Sequence, residues 1–146
     1  MKQNIFFVIL TMILIAGCSS LSQENPLFEG TRLIVVTSPK TTATSTPTFV
    51  WNSPEGIYYQ VVGVFTNHLK IEGKKIVNTQ DCIAMWTSGM SGQAGNVEYS
   101  NFKDYPALQN AAPSLVSGKT YYWAVWAYNS DMEVTHSSAE ISFTVQ

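Results

Sequence analysis

The chain has 146 residues, of which 45% are hydrophobic and 12% are charged, and its formal net charge at pH 7 is −2. This length suits one ordinary domain with a core of its own. The low charge, with no basic cluster beyond Lys74 and Lys75, argues against nucleic acid as a partner and against an electrostatic grip on anionic lipid.

The first segment is an apolar run that begins after Lys2 and ends at Cys18. Its apolar stretch, residues 5–15, is too short to span a bilayer and has the length of a signal-peptide core. The ending Leu-Ile-Ala-Gly-Cys, residues 14–18, resembles the lipobox of bacterial lipoproteins. That resemblance implies that residues 1–17 are a signal peptide and that Cys18 is acylated, so the mature protein is anchored in the membrane by lipid. The alternatives are an ordinary secretory signal and an anchor that is never removed.

Residues 18–28 follow as the lipidated cysteine and a short polar stretch, which predicts a flexible tether. Ser19 rather than aspartate follows the cysteine, which resembles the outer-membrane sorting signal of enteric bacteria. We therefore expect a lipid-anchored protein of the bacterial cell envelope, in the outer membrane.

Residues 29–146 are typical of an all-β domain, because β-branched and aromatic residues gather in short alternating runs between Gly, Pro, Ser and Asn. A loop is predicted for residues 40–46, between two prolines. Seven strands are predicted, at residues 32–37, 48–52, 58–65, 74–78, 83–87, 120–129 and 139–145.

Residues 115–129 resemble the corner and sixth strand (F) of a fibronectin type III domain, and Trp51 and residues 59–61 resemble its second (B) and third (C) strands. The resemblance implies an immunoglobulin-like β-sandwich of about seven strands, in which the Tyr121 hydroxyl bonds to upstream backbone. It also implies a set of structural core residues: Trp51, Tyr59, Leu115, Gly118, Tyr121 and Trp123. The chain departs from the family in an extended insertion between strands C and F, residues 66–114, which contains a glycine-rich loop.

Alternation along residues 121–128 places one set inward and leaves an aromatic outer face. The candidate binding face consists of Tyr122, Trp126 and Tyr128, with Val62 and Val64 from the neighbouring strand. Two alternatives remain for this face. The insertion covers it, with Trp86, Phe102 or Tyr105 as lids, or the face is open to a protein or a glycan.

Other candidate chemistry is sparse. Asp131, Glu133 and His136 suggest a metal site, but a solvated hairpin tip explains them more simply. Cys82 is expected to be a small buried side chain, and His68 a surface residue. With no catalytic residues, metal or cofactor indicated, we expect a non-catalytic binding module that has a protein or glycan partner. The alternatives are a carbohydrate-binding module and an enzyme or metal-dependent site in the insertion or in the hairpin after strand F, residues 131–136.

Overall fold

The computed structural model describes residues 25–89 and 94–146, and the all-β class is confirmed in that part of the chain. Two single turns of 3₁₀ helix, Thr79–Asp81 and Tyr99–Asn101, interrupt the strands. The described residues contain no helix long and apolar enough to cross a membrane. The strands, in chain order, are β1 (Arg32–Leu33), β2 (Val36–Ser38), β3 (Thr42–Ala43), β4 (Thr48–Trp51), β5 (Tyr59–Phe65), β6 (Ile71–Glu72), β7 (Lys75–Ile76), β8 (Cys82–Thr87), β9 (Asn96–Glu98), β10 (Lys103–Asp104), β11 (Thr120–Tyr128), β12 (Val134–Ser137) and β13 (Ile141–Val145).

The large sheet is built around β11, the longest strand. Strand β5 pairs antiparallel along one side of β11, and β8 and β10 continue the sheet beyond it. Along the other side, β13 pairs with the first half of β11 and β12 with the second. The break between β12 and β13 lies at Ser138, whose backbone N–H and hydroxyl both bond to the backbone of Val125. The predicted final strand, residues 139–145, is therefore shorter, and β12 precedes it.

The small sheet has the order β2–β4–β9. The first three strands contribute to both sheets. Strands β1 and β3 join the large sheet by pairing parallel with β12 and β13, and β2 joins the small sheet by pairing with β4. The predicted loop at residues 40–46 thus includes a two-residue strand. Strands β6 and β7 form a separate hairpin where one strand was predicted at residues 74–78.

Side chains from both sheets form the main core. Phe49 lies near its centre, with ring centroids 4.7 Å from Trp123 and 5.0 Å from Phe102. The two buried indoles have hydrogen-bond acceptors, since Trp123 Nε1 donates to the Pro39 carbonyl at 3.0 Å and Trp51 Nε1 to Gln60 Oε1 at 3.2 Å. Among the described residues, every buried side-chain nitrogen and oxygen has a hydrogen-bond partner.

Four of the residues expected in the core are buried there: Trp51, Leu115, Tyr121 and Trp123. The placement of the other two in the core is wrong. Tyr59 is half-buried on the opposite face of β5, because it lies across from Tyr128 in the ladder. Gly118 is exposed in the turn before β11, where a φ of +77° favours glycine.

Candidate functional site

The outer face of the large sheet carries a second apolar cluster, separate from the main core. The alternation predicted for β11 is present, since Trp123 and Val125 face the main core while Trp126 and Tyr128 face outward. The placement of Val62 and Val64 on this outer face is wrong. Directly opposed residues of antiparallel strands share a face, and these valines lie opposite Val125 and Trp123. They are fully buried in the main core.

Val61, Gly63 and Phe65 are the β5 residues on the outer face, opposite Trp126, Ala124 and Tyr122. Gly63 leaves room for the aromatic rings around it. A Cβ at this position would lie 2.8 Å from Phe65 Cε2 and 3.0 Å from Trp126 Cη2. The strand is thus shaped to let the Trp126 indole lie against its backbone.

The outer face is covered, so Trp126 is only 5% exposed. Phe28 packs edge-on against it, with ring centroids 6.3 Å apart. The β6–β7 hairpin, which belongs to the 66–114 insertion, adds Ile71 and Ile76 to the same cluster. Cover by the insertion is therefore confirmed in part, although Phe28, which packs against the Trp126 ring, lies outside the insertion.

The expected lids behave differently from one another. Trp86 packs against Trp51, with ring centroids 5.9 Å apart, and Phe102 lies in the main core beside Phe49. Neither covers the outer face. Tyr105 does lie at this face, where it lines a cavity beside Trp126.

Phe28 is held in place by backbone contacts with the break between β12 and β13. Its N–H donates to Ser137 Oγ at 3.1 Å, and the N–H of Leu27 donates to the Ser138 carbonyl at 2.6 Å. The hydroxyl of Thr31 closes this turn by donating to the Phe28 carbonyl at 2.7 Å. The packed domain thus includes two residues that the sequence assigns to the flexible tether.

A cavity of about 320 Å³ lies on the outer face between Phe28, the sheet and the β6–β7 hairpin, and we call it the outer-face pocket. Its volume falls at the small end of the range of about 300–1,000 Å³ that is usual for small-molecule sites. Its lining residues are Phe28, Phe65, Lys74, Lys75, Ile76, Thr79, Cys82, Met85, Tyr105, Trp126 and Tyr128. Five of the eleven lining residues are aromatic, and two are lysines.

The polar groups of the pocket are arranged as hydrogen-bond donors. Trp126 Nε1 donates to Tyr128 Oη at 3.1 Å, so the hydroxyl hydrogen of Tyr128 remains able to donate elsewhere. Lys74 Nζ lies 3.4 Å from the Val134 carbonyl, and neither Lys74 nor Lys75 forms an ion pair among the described residues. Among the described residues, no carboxylate and no imidazole lines the pocket.

The β6–β7 hairpin is fixed at its base by Asn78, which is 2% exposed. Its Oδ1 accepts from the Lys70 N–H at 2.7 Å, and its Nδ2 donates to the His68 carbonyl at 2.9 Å and to Asp81 Oδ2 at 2.8 Å. The hydrogen bonds that Asp81 accepts from the side chains of Asn78 and Asn67 lower its pKa, because they favour its charged form. The side of the outer-face pocket that this hairpin forms is therefore anchored through a buried amide, together with the Val77 N–H bond to the Lys70 carbonyl.

Cys82 lines the floor of the pocket and is 4% exposed, as expected for a small buried side chain. Burial raises the pKa of its thiol to about 12. A thiol of this kind is protonated at neutral pH and is a poor nucleophile.

The remaining candidate residues lie elsewhere. The Tyr122 ring lies against the ring of His68, with centroids 4.1 Å apart, and His68 Nδ1 is 2.6 Å from Glu140 Oε1. His68 is a surface residue, as expected, since its side chain is 75% exposed. Cys18 lies outside the described residues, as does part of the glycine-rich loop, residues 90–93.

The hairpin tip does not form the metal site that was considered as an alternative. Asn129 Oδ1 accepts from the N–H groups of Asp131 and Glu133 at 3.0 and 2.9 Å, which makes an ordinary turn. His136 points to Thr135, and burial together with the nearby charge of Arg32 lowers its pKa. Within residues 25–89 and 94–146, no group of three or more His, Cys, Asp or Glu could hold a metal ion.

Reasoning from the sequence missed Phe28, Lys74, Lys75 and Cys82 as members of the site. The one local signal is the pair Leu27-Phe28, which interrupts an otherwise polar stretch. Comparison with protein-family models and with curated proteins finds no match to this chain.

Proposed function

We propose that this chain is a non-catalytic binding protein of the bacterial envelope, held in the outer membrane by lipid on Cys18, and that the outer-face pocket is its binding site. The observation that carries the binding role is the pocket itself. The outer-face side chains are not part of the main core. They line a cavity with aromatic walls, next to the point where Leu27 and Phe28 attach to the large sheet.

A fibronectin type III-like sandwich is part of the proposal. Three features support it. The small sheet has the order β2–β4–β9, and in the large sheet β8, β5 and β11 are neighbours, with β12 and β13 along the far side of β11. The third feature is a hydrogen bond at the predicted corner. In that bond Tyr121 Oη accepts from the Val116 N–H at 3.0 Å, which is the contact expected of a tyrosine corner. Such a scaffold does not name a function, so the binding role is argued from the pocket.

A non-catalytic role is supported by the chemistry of the lining. In the part of the chain that the structure describes, no carboxylate or imidazole lines the pocket to act as a general base, and burial keeps the Cys82 thiol protonated. A glycan stacked on an open aromatic face is less well supported, because Phe28 and the hairpin cover Trp126. We therefore favour a small molecule or a single inserted side chain of a protein partner.

The anchor is tested by mass spectrometry of the protein purified from cell membranes. The proposal expects a mature N-terminus at Cys18 that carries acyl chains. Cys18→Ser should abolish acylation, and Cys82→Ser, the matched control at the other cysteine, should leave it intact. An acyl-free protein that retains residues 1–17 would contradict the anchor. Density fractionation of membranes, with Ser19→Asp as the comparison, tests the outer-membrane assignment.

The binding role is tested by NMR of protein labelled with ¹⁵N-tryptophan. The Trp126 indole N–H, which donates to Tyr128 at the pocket wall, reports occupancy and is assigned by its loss in Trp126→Phe. We would titrate the protein with small neutral, anionic and cationic aromatic compounds and with glucose. A ligand of the pocket should shift this resonance in the wild type and not in Met85→Trp, which fills the cavity. No shift with any compound would contradict binding of small molecules.

A further inference from the structure

We propose that the ligand of the outer-face pocket is a compact aromatic acid, with one flat apolar ring and one anionic group. This inference rests on the binding role proposed above and names the class of ligand. It follows from three features of the site: the size and walls of the cavity, the sign of its charges, and the direction in which its polar groups donate.

The walls select a flat apolar group. Phe28 and Trp126 meet edge to face at one side, and Phe65 closes the floor beside Gly63. Met85 adds a thioether, which makes favourable contacts with aromatic rings. Rings prefer offset or edge-to-face packing with other rings. A cavity of about 320 Å³ has room for a single ring together with a short substituent.

The charges select an anion. Lys74 and Lys75 are the only charged residues that line the pocket, and neither forms an ion pair within residues 25–89 and 94–146. A carboxylate or phosphate at this edge would gain charge-assisted hydrogen bonds from ammonium groups. A cation would be repelled, and a neutral ring would leave both ammonium groups without an anionic partner.

Two acidic residues lie on the other side of the lysines. Glu72 and Glu133 line an adjoining open groove of about 680 Å³, and Lys74 and Lys75 line both cavities. The lysines therefore lie between the aromatic pocket and these carboxylates. An anionic group is favoured on the pocket side of the lysines, and on the groove side it would meet the two carboxylates.

The hydroxyl of Tyr128 adds a third donor. Its oxygen already accepts from Trp126 Nε1, so its hydrogen can be donated to an acceptor on the ligand. Tyr128 also lines both cavities, which places it beside the lysines at the rim. A ligand with its ring on Trp126 and its anionic group at the rim would satisfy all three donors.

The test uses the full-length protein in nonionic detergent and three small probes that share one phenyl ring and differ in charge: phenylacetate, benzyl alcohol and benzylamine. Each is titrated while the Trp126 indole resonance is followed. We expect phenylacetate to bind at least about tenfold more tightly than benzyl alcohol, as one charge-assisted contact implies. Benzylamine should bind most weakly.

Two double variants of equal net charge separate the effect of the pocket lysines on binding from the effect of the protein's net charge. Lys74→Gln with Lys75→Gln should weaken phenylacetate binding by roughly tenfold and leave benzyl alcohol unchanged. Lys103→Gln with Lys119→Gln, at exposed lysines that do not line the pocket, should change neither. All four substitutions are at exposed positions, so the fold is expected to survive, and circular dichroism checks this.

The outcomes distinguish the ligand class from the binding role. Equal affinity for acid and alcohol, unaffected by the lysine changes, would overturn the acid and leave the pocket as a site for neutral rings. If none of the three probes, nor glucose, shifts Trp126, both the acid and the small-molecule role fall. Preferential binding of phenylacetate that is lost in Lys74→Gln with Lys75→Gln and in Met85→Trp supports the proposal. Thr79→Trp, at an exposed position on the rim, replaces Met85→Trp if that variant does not fold.

Discussion

The indole ring of Trp126 lies against Gly63 on the neighbouring strand, so closely that a Cβ on the glycine would lie 3.0 Å from Cη2. Glycine usually weakens a strand, since it packs no side chain. Here the missing side chain is replaced by the ring from across the ladder. The pair fixes where the indole lies, and with it one wall of the outer-face pocket.

Gly63→Ala is expected to destabilise the protein by roughly 1–3 kcal/mol, because the new methyl meets two buried rings. Chemical denaturation measures the loss. In a double-mutant cycle, Trp126→Leu should remove part of the penalty, since one of the two clashing rings is gone. Additive effects in this cycle would contradict the contact.

Phe28→Ala is expected to open the outer-face pocket and expose Trp126 to solvent. The cost in stability should stay below the roughly 3–5 kcal/mol of a core Phe→Ala change, because the segment can detach locally. Acrylamide quenching, with and without Trp126→Phe, isolates the contribution of this tryptophan. Leu33→Ala is the control, because Leu33 is 41% exposed on the adjacent β1. Unchanged quenching would show that Phe28 is not the cover.

Asn78→Ala is expected to loosen the β6–β7 hairpin, because it leaves the Lys70 N–H and the His68 carbonyl without their partners. The expected loss of stability is about 1–3 kcal/mol. Hydrogen exchange should quicken at residues 70–77 more than in β11. Asn52→Ala, at an exposed asparagine, should have little effect. Uniform exchange in the Asn78→Ala variant would argue against a local anchor.

Tyr121→Phe removes the acceptor for the Val116 N–H while keeping the buried ring. We expect a loss of about 0.5–1.5 kcal/mol in the free energy of unfolding. Tyr58→Phe is the matched control, because Tyr58 is exposed. Equal effects at the two tyrosines would show that the corner bond contributes nothing.

Alkaline pH is expected to destabilise the protein partly through Cys82. Its pKa is raised from 9.0 to about 12 by burial, so the folded state holds the proton that the unfolded state loses. Stability from this group is therefore complete below pH 9 and falls above it, by at most about 1.4 kcal/mol per pH unit. Urea unfolding between pH 8 and 10.5 should show a shallower decline in Cys82→Ala. Burial also raises the pKa of Tyr99, so a smaller decline remains in that variant.

The faces of β11 could be predicted because its aromatic and small residues alternate, and the structure follows that alternation. Strand β5 lacks such a signal. Its valines, at residues 61, 62 and 64, lie at both odd and even positions, so the alternation of apolar and polar residues cannot tell which face is buried. Only the register, with Val62 opposite Val125, decides which valines are inside.

The site itself depends on contacts between distant parts of the chain, which local patterns do not show. Phe28 bonds to Ser137 across 109 positions in the sequence. The lysines reach the pocket only because β6 and β7 fold back as a hairpin over the sheet. The polar stretch is therefore predicted as a tether, and the lysine pair as the start of a strand at residues 74–78.

The attachment of Leu27 and Phe28 to Ser137 and Ser138 also has a mechanical consequence. Among the described residues these contacts lie close to residue 25, so a pull applied at residue 25 reaches them before it reaches the strands of the large sheet. Tension would draw Phe28 away from Trp126 while the main core stays intact. The wall of the pocket is thus the point at which force enters the domain.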